Sequence, residues 1–160
     1  YRQILTALQD RNIHAVVDTG GNALQSTLSC RPFLIKPNLT ELCDLAGRTL
    51  TEDQEIAACA ADLQRSGARN VLVSMAERGS LLLDETGKIH RLAAHRGTVR
   101  NSVGAGDSMV AGFLAGWIGT GSYDTAHHLG CAAGAATAFS DGLADRQQIL
   151  TIYSQEDAPT

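Results

Sequence analysis

Apolar residues along this chain follow two kinds of pattern, short continuous runs and longer stretches with helical spacing. Three continuous runs stand at 14–19 (HAVVDT), 33–38 (FLIKPN) and 70–75 (NVLVSM). Runs of this length are typical of strands that are buried on both faces of a parallel sheet. The pattern therefore predicts three buried parallel strands.

The segments between and after these runs have the apolar spacing and the end signals of helices. The predicted helices cover 1–10, 21–28, a segment that begins after Asn38, 51–68, 106–118, 122–140 and a short segment from Asp145. Asn38 and Thr51 are typical N-cap residues. In the first helix, Ile4, Leu5 and Leu8 share one face and are predicted to point inward.

A hairpin is predicted late in the chain, where the two apolar stretches of SLLLDETGKIHRL flank Glu85-Thr86-Gly87. Strands that alternate with helices form right-handed βαβ units. The predicted fold class is therefore α/β, with a largely parallel sheet, helices on both faces and a late antiparallel hairpin. Because no repeat and no linker interrupts the sequence, we expect one domain over residues 1–160.

Composition and charge argue against several functions. The formal net charge is −4, the 13 basic residues are scattered and there are only three Phe, three Tyr and one Trp. Neither a basic surface nor a stacking platform for nucleic acid is expected from such a chain. No apolar run approaches the ~20 residues that span a membrane. The four cysteines are far apart and form no C-x-x-C pair, which favours reduced thiols in a cytoplasmic protein.

The segment 101–116, NSVGAGDSMVAGFLAG, joins a glycine-rich turn to the start of a helix. Gly104, Ala105 and Gly106 let the backbone approach a ligand closely, and the first N–H groups of a helix lack intrahelical partners. This favours an anion-binding site, although a merely flexible helix start would need the same glycines. Met109 stands where a dinucleotide-binding fingerprint has its third glycine, and no lysine follows as it does in a P-loop.

Asp107 places a negative charge beside this anion-binding turn. If the anion is a phosphoryl group in transit, the amides stabilise its oxygens while the carboxylate accepts the proton of the attacking hydroxyl. The alternative is that Asp107 only caps the helix and interacts with its dipole. The residues alone leave both interpretations open.

Two stretches resemble a known family. V-x-N-S-V-G-A-G-D-S-M-V-A-G-F-L-A-G resembles the second signature of the pfkB (ribokinase-like) carbohydrate kinases, and Lys36-Pro37-Asn38-Leu39-Thr40-Glu41 resembles the K-P-N-x-x-E segment of its hexose-phosphate branch. The resemblance covers nearly the whole chain. It implies a ribokinase-like fold and the transfer of a phosphoryl group from ATP, with Mg²⁺, to a phosphosugar such as fructose 1-phosphate or tagatose 6-phosphate.

The resemblance assigns roles in the reaction to the glycine-rich turn. It makes Asp107 the catalytic base and the amides of Gly104, Ala105 and Gly106 the anion hole for the transferred phosphoryl group. Gly106 is also implied in nucleotide binding.

The resemblance also assigns the nucleotide and the metal to earlier residues. Lys36 is implied to reach the nucleotide phosphates as a point charge. Asn38 and Glu41 match the N-x-x-E motif that organises magnesium and its waters, and Asn38 also lies near the nucleotide. Ser74 and Gly79 match an S-x-G-x-x-G segment that lines the nucleotide site.

Two positions depart from the family pattern. The first glycine of S-x-G-x-x-G is Ala76 here, which costs on the order of 1 kcal/mol if the position needs a positive φ. Asn101 stands where many relatives carry Asp.

His127 and His128 match no motif, and we expect them at a surface or an interface.

Members of this family are about twice as long, and the chain begins at Tyr1 within a predicted helix. The resemblance therefore implies that the N-terminal half is absent, with the small β lid and most residues that bind the phosphosugar. We expect residues 1–160 to be the C-terminal nucleotide-binding and catalytic part of a kinase, inactive alone and associated with the missing half or a second copy. The alternative is a stand-alone nucleotide-binding module without catalysis.

Overall fold

The computed structural model describes residues 1–8 and 11–155, which form two compact units. Unit 1 comprises the described residues of Tyr1–Met75 and Leu81–Arg91, and unit 2 comprises those of Ala76–Ser80 and Leu92–Thr160. The end of the first predicted helix, residues 9–10, lies outside the described residues. None of the described helices is long and apolar enough to cross a membrane.

Within the described residues, the sheet has five strands in the order β1-β2-β3-β4-β5, which is also their order along the chain. The strands are β1 (Val16–Val17), β2 (Leu34–Ile35), β3 (Asn70–Ser74), β4 (Ser80–Leu83) and β5 (Ile89–Leu92). β1 pairs in parallel with β2, Val16 opposite Leu34, and β2 pairs in parallel with β3, Leu34 opposite Asn70. The order makes β1 an edge strand of this sheet.

The first two strands are shorter than the six-residue runs that predict them. Each contains only two residues in regular pairing, although Phe33 N–H still donates to Ala15 O and Lys36 N–H to Val17 O. Pro37 has no N–H to continue the ladder. The apolar runs therefore mark where the strands lie, and the ends of the runs belong to the loops that follow them.

The predicted hairpin is confirmed. β4 and β5 are neighbours in the sheet and are joined by a tight turn in which Asp84 N–H donates to Lys88 O and Gly87 N–H donates to Asp84 O. Strands joined by so short a turn run antiparallel. The sheet is thus mixed, with its parallel part first and its antiparallel part last.

Unit 1 has four helices in its described part: α1 (Arg2–Leu8), α2 (Gly21–Leu28), α3 (Leu39–Ala46) and α4 (Asp53–Arg65). Their inward residues build the core with the strands, among them Leu24, Leu42, Ile56 and Ala60, each 0% exposed. The prediction for α1 is partly wrong, because Ile4 is 64% exposed and no residue of this helix is fully buried. Leu5 packs partly against the core, as expected.

The predicted start of α3 is correct, and the predicted start of α4 is wrong by one residue. Asn38 caps α3 as predicted, and Gly47 ends that helix in the left-handed conformation. The N-cap of α4 is Glu52 and not Thr51. The Glu55 carboxylate accepts hydrogen bonds from the backbone N–H groups of Thr51 and Glu52. Its capping box therefore closes on Glu52, and the helix begins one residue later than predicted.

As far as residue 155, unit 2 contains a 3-10 turn (Ala76–Arg78) and three helices, α5 (Ala105–Thr120), α6 (Tyr123–Ala138) and α7 (Arg146–Ser154). Small residues let α5 and α6 approach closely, since a Cβ on Gly112 would lie 2.6 Å from Leu129 O and one on Gly116 would lie 2.8 Å from Ala126 Cα. The short helix predicted from Asp145 is present, and Asp145 is its N-cap.

The expectation for His127 is wrong. This side chain is 0% exposed, and its Nε2 lies 2.7 Å from Ser80 Oγ, which also lies 2.9 Å from Cys131 Sγ. Buried residues lie on most sides of α6. Two adjacent histidines on such a helix therefore do not both reach the surface. His128 is half-buried.

Candidate functional site

In unit 1, the polar residues that the sequence singles out follow directly after buried strands. Lys36 comes one residue after β2 and is only 6% exposed. Its Nζ lies 3.2 Å from a carboxylate oxygen of Asp18, which comes directly after β1. Because β1 and β2 are parallel, their carboxyl ends lie at one edge of the sheet, where ligands of α/β proteins usually bind.

Asp18 is a residue that the sequence analysis missed. The available signal was an acidic residue directly after a buried apolar run, at the same position relative to β1 as Lys36 has relative to β2. The Asp18 side chain is 33% exposed, so its carboxylate contacts both solvent and the buried ammonium group of Lys36. Its carboxylate fixes the position of Lys36 Nζ at the sheet edge.

Asn38 and Glu41 form a reciprocal capping box at the start of α3. Asn38 N–H donates to Glu41 Oε2 and Glu41 N–H donates to Asn38 Oδ1, both at 2.8 Å. A Cβ added to Gly20, in the loop after β1, would lie 3.3 Å from the Glu41 side chain. The Glu41 carboxylate is therefore held at the N-terminus of α3 and packs against a glycine that leaves it room.

Ser74 joins this group at the end of β3. It forms a parallel bridge with Asn38, and its N–H donates to Pro37 O at 3.2 Å. The structure thus brings Lys36, Asn38, Glu41 and Ser74 to one edge of the sheet in unit 1. One ammonium group and several oxygen atoms at this edge suit a phosphate and a hard cation.

Two oxygen-bearing side chains, Asn38 and Glu41, could contribute to a magnesium site. Mg²⁺ keeps several waters and uses only one or two protein ligands, so this donor set fits the ion. In the described part of the chain, no group of three or more His, Cys, Asp and Glu side chains could hold a metal ion by itself.

The 3-10 turn that opens unit 2 contains Ala76, which stands where the S-x-G-x-x-G segment has its first glycine. Ala76 has a φ of 49°, so it adopts the left-handed conformation that glycine accepts more easily. Gly79 has a φ of 83°, and a Cβ there would collide with Leu92 O. The backbone at both positions is therefore of the kind that the S-x-G-x-x-G pattern needs, and the alanine is strained.

The glycine-rich turn before α5 has the geometry that anion binding requires. Gly104 is the N-cap, with a φ of 81° and a ψ of −4°. A Cβ on Gly104 would also lie 2.6 Å from Leu143 Cδ2. Ala105 N–H donates to Ser102 O at 3.2 Å, whereas no such bond is found from the N–H of Gly104 or Gly106 within the described chain. The N–H groups of Gly104 and Gly106 are therefore donors that no backbone carbonyl of the described chain uses.

The Asp107 carboxylate lies in the first turn of α5 and its residue is exposed. Among the described residues, it makes no hydrogen bond or ion pair, and α5 has no capping box. Local hydrogen bonding thus does not occupy this carboxylate, in contrast with Glu41, which closes the capping box of α3.

Comparison with known proteins shows which family the chain is similar to. The model of the family described as pfkB family carbohydrate kinase matches residues 1–149. The 1-phosphofructokinase of Bacillus subtilis is 39% identical over 153 residues, which cover 94% of this chain and 50% of that protein. The D-tagatose-1-phosphate kinase of Bacillus licheniformis is 33% identical over 157 residues, which cover 97% of this chain and 51% of that protein.

A solved structure extends the similarity to the backbone. Phosphofructokinase-2 from Escherichia coli, crystallised in complex with potassium, superposes with a TM-score of 0.89 at 30% identity, over 98% of this chain and 52% of that one. The ribokinase-like fold expected from the sequence is confirmed by such similarities. The chain spans about half the length of the curated relatives it matches.

Proposed function

Because the chain belongs to the pfkB family of carbohydrate kinases, we propose that it is the nucleotide-binding and catalytic part of an ATP-dependent phosphosugar kinase. The observation that carries this proposal is the turn at 104–107, where unused backbone donors stand next to an exposed carboxylate that no local bond occupies. A module that only binds nucleotides needs the donors but has no use for the carboxylate.

In the proposed reaction, Asp107 accepts the proton of the attacking sugar hydroxyl. The hydroxyl oxygen forms a bond to the γ-phosphorus of ATP while the bond from that phosphorus to the bridging oxygen of ADP breaks. The N–H groups of Gly104 and Gly106 stabilise the charge on the transferred phosphoryl group. Ala105 belongs to the same turn, but because its N–H already donates to Ser102 O we assign it the weaker share.

The sheet edge in unit 1 is the proposed place of the nucleotide phosphates and the metal. Lys36 offers a point charge whose position Asp18 fixes. Asn38 and Glu41 would hold magnesium through their oxygens or through its waters, and the bound ion would neutralise charge on the β- and γ-phosphates. Ser74 and Gly79 are assigned to the nucleotide site because they match the family segment, and their roles stay predictions.

The proposed acceptor is fructose 1-phosphate, with tagatose 6-phosphate as the second choice from the sequence resemblance. The name of the relative from Bacillus subtilis supports the first, and the relative from Bacillus licheniformis adds tagatose 1-phosphate as a third candidate. All three acceptors present a free hydroxyl and a phosphate, so the chemistry at Asp107 is the same for each.

We also propose that the acceptor-binding residues come from outside this chain. The chain spans about half of its relatives, and β1, an edge strand of the sheet, has neither a Pro nor a Lys to protect its free edge. Residues 1–160 expressed alone should therefore aggregate or associate with another copy and show no phosphosugar kinase activity, as chromatography and ATP turnover would show. A monomeric, active 160-residue chain would contradict this.

The experiment on function uses the full-length protein that contains this chain. Purified protein is incubated with ATP and Mg²⁺ and with each of the three phosphosugars, and ADP release is measured with and without acceptor. We expect turnover that depends on the acceptor and is fastest with fructose 1-phosphate. Nucleotide binding without turnover on any acceptor would favour the stand-alone nucleotide-binding module instead.

A further inference from the structure

Two segments of unit 2 meet at the glycine-rich turn. One is the approach to α5, residues 97–104, and the other is the end of α6 with the segment after it, residues 137–144. Their backbones are joined because the N–H groups of Arg100 and Asn101 both donate to Ala138 O, at 2.8 and 3.2 Å. The path of the chain into the turn is thus set by a segment more than thirty residues further on.

The Asn101 side chain adds a second connection and uses both ends of its amide. Its Oδ1 accepts a hydrogen bond from Val103 N–H at 3.0 Å, which folds the approach back on itself one residue before Gly104. Its Nδ2 donates to Asp141 O at 3.2 Å. An ionised aspartate offers only acceptors, so it could keep the first bond but not the second.

The same downstream segment also holds the other side of the turn. Leu143 lies against the Cα of Gly104, and Thr137 Oγ1 accepts from Ala144 N–H while donating to Ser108 Oγ at 2.8 Å. Ser108 follows Asp107 directly on α5. The turn is therefore fixed before Gly104 by Asn101 and after Asp107 by Thr137.

We propose that Asn101 is a positioning residue that latches the anion-binding turn to the segment after α6 through its Nδ2 bond to Asp141 O. The latch orients the N–H groups of Gly104 and Gly106, which do their work in the transition state. Its effect on rate rests on the proposed kinase function, whereas its effect on the structure of the two segments does not.

The test compares Asn101→Asp with Arg100→Gln in the full-length protein. Both changes shift the net charge by the same amount at adjacent positions, but only N101D replaces the Nδ2 donor with an oxygen that faces Asp141 O. The Arg100 guanidinium lies 3.4 Å from the Asp141 carboxylate at an exposed site, where an ion pair contributes little. The assay buffer contains tetramethylammonium as its only monovalent cation. No small cation can then bind between Asp141 O and the carboxylate oxygen that N101D introduces.

Steady-state kinetics with ATP, Mg²⁺ and the best acceptor give the first readout. We expect N101D to lower kcat by about 10- to 100-fold while the KM for ATP changes by less than about threefold, since a misplaced donor is felt mainly in the transition state. R100Q should keep kcat within about twofold. An N101D variant with the kcat of R100Q would overturn the proposal.

Hydrogen exchange gives a second readout that needs no kinase activity. Peptides covering 98–106 and 138–145 should exchange about fivefold faster in N101D than in R100Q, as the loss of one hydrogen bond allows, while the interior of α6 stays protected. Unchanged exchange in both peptides would reject the latch. If the wild-type protein shows no turnover on any acceptor but exchange is still faster in N101D than in R100Q, the latch is supported and the kinase function is rejected. If N101D does not fold, Asn101→Ala is compared in its place, with the same outcomes.

Discussion

The two units present their candidate groups in opposite ways. In unit 1 the chemistry is on side chains, a buried lysine held by Asp18 and a carboxylate held by the capping box of α3. In unit 2 the proposed donors belong to the backbone, and the proposed base, Asp107, is exposed and not held by local bonds. Side-chain swaps should therefore be informative in unit 1, and changes of backbone conformation should be decisive in unit 2.

Among changes of backbone conformation, the largest effect is expected for Gly104→Ala in unit 2. The left-handed φ of 81° strains any residue with a Cβ, and that Cβ would lie 2.6 Å from Leu143 Cδ2. Because the turn would move its donors away from the phosphoryl group, kcat should fall by about 10²- to 10³-fold. Gly142→Ala is the matched control, since a Cβ there meets nothing within 4 Å. Equal activity of the two variants would show that the shape of the turn is unimportant.

A smaller, metal-specific effect is expected for Glu41→Gln in unit 1. Glutamine keeps the oxygen that accepts from Asn38 N–H, so the capping box survives and only the charge is removed. The Mg²⁺ concentration for half-maximal activity should rise by about 10-fold or more, while the KM for the sugar stays close to the wild-type value. Asp44→Asn, an exposed change on the same helix, is the control. An unchanged magnesium titration would remove Glu41 from the metal site.

These two residues also show what a sequence can and cannot predict. The capping box is a local pattern of two residues three positions apart, so Asn38 and Glu41 are predicted correctly as the start of a helix. The pair of Asp18 and Lys36 spans 18 positions and depends on the parallel pairing of β1 with β2, which no local pattern fixes. The sequence analysis therefore finds Lys36 through a motif and misses its partner.

The errors have similar physical causes. The exposure of Ile4 and the burial of His127 both depend on what packs around a helix, and amphipathic spacing alone does not say how much of a helix surface is covered. The sequence analysis predicts strain at Ala76 if this position needs a positive φ, and the observed φ of 49° is positive. The roles of the turn residues and of the sheet-edge residues stay predictions.

The smallest effect is expected for Glu55→Gln and depends on pH. Hydrogen bonds from the Thr51 backbone, then the Arg48 side chain and the Glu52 backbone, lower the pKa of Glu55 from 4.5 to about 2. A carboxyl group with a lowered pKa stabilises the fold fully above its unfolded pKa, and this contribution is lost as the pH falls towards the folded value. The advantage of wild type over E55Q in unfolding free energy should thus shrink between about pH 6 and about pH 2.5.

Urea denaturation at several pH values measures this advantage. Glu77→Gln, an exposed change in the 3-10 turn of unit 2, is the control and should show no comparable pH dependence. A difference between wild type and E55Q that stays constant with pH would mean that the hydrogen bonds at the start of α4 do not depend on the charge of Glu55.

The most direct test of the central claim is a comparison of Asp107→Asn with wild type in the full-length protein, by turnover and by calorimetric titration with ATP. If Asp107 is the base, the substitution removes proton acceptance and leaves the backbone donors in place. We expect kcat to fall by about 10²- to 10⁴-fold while the Kd for ATP stays within about twofold. A D107N variant with near-normal kcat would contradict the account and reduce Asp107 to a charge at the start of α5.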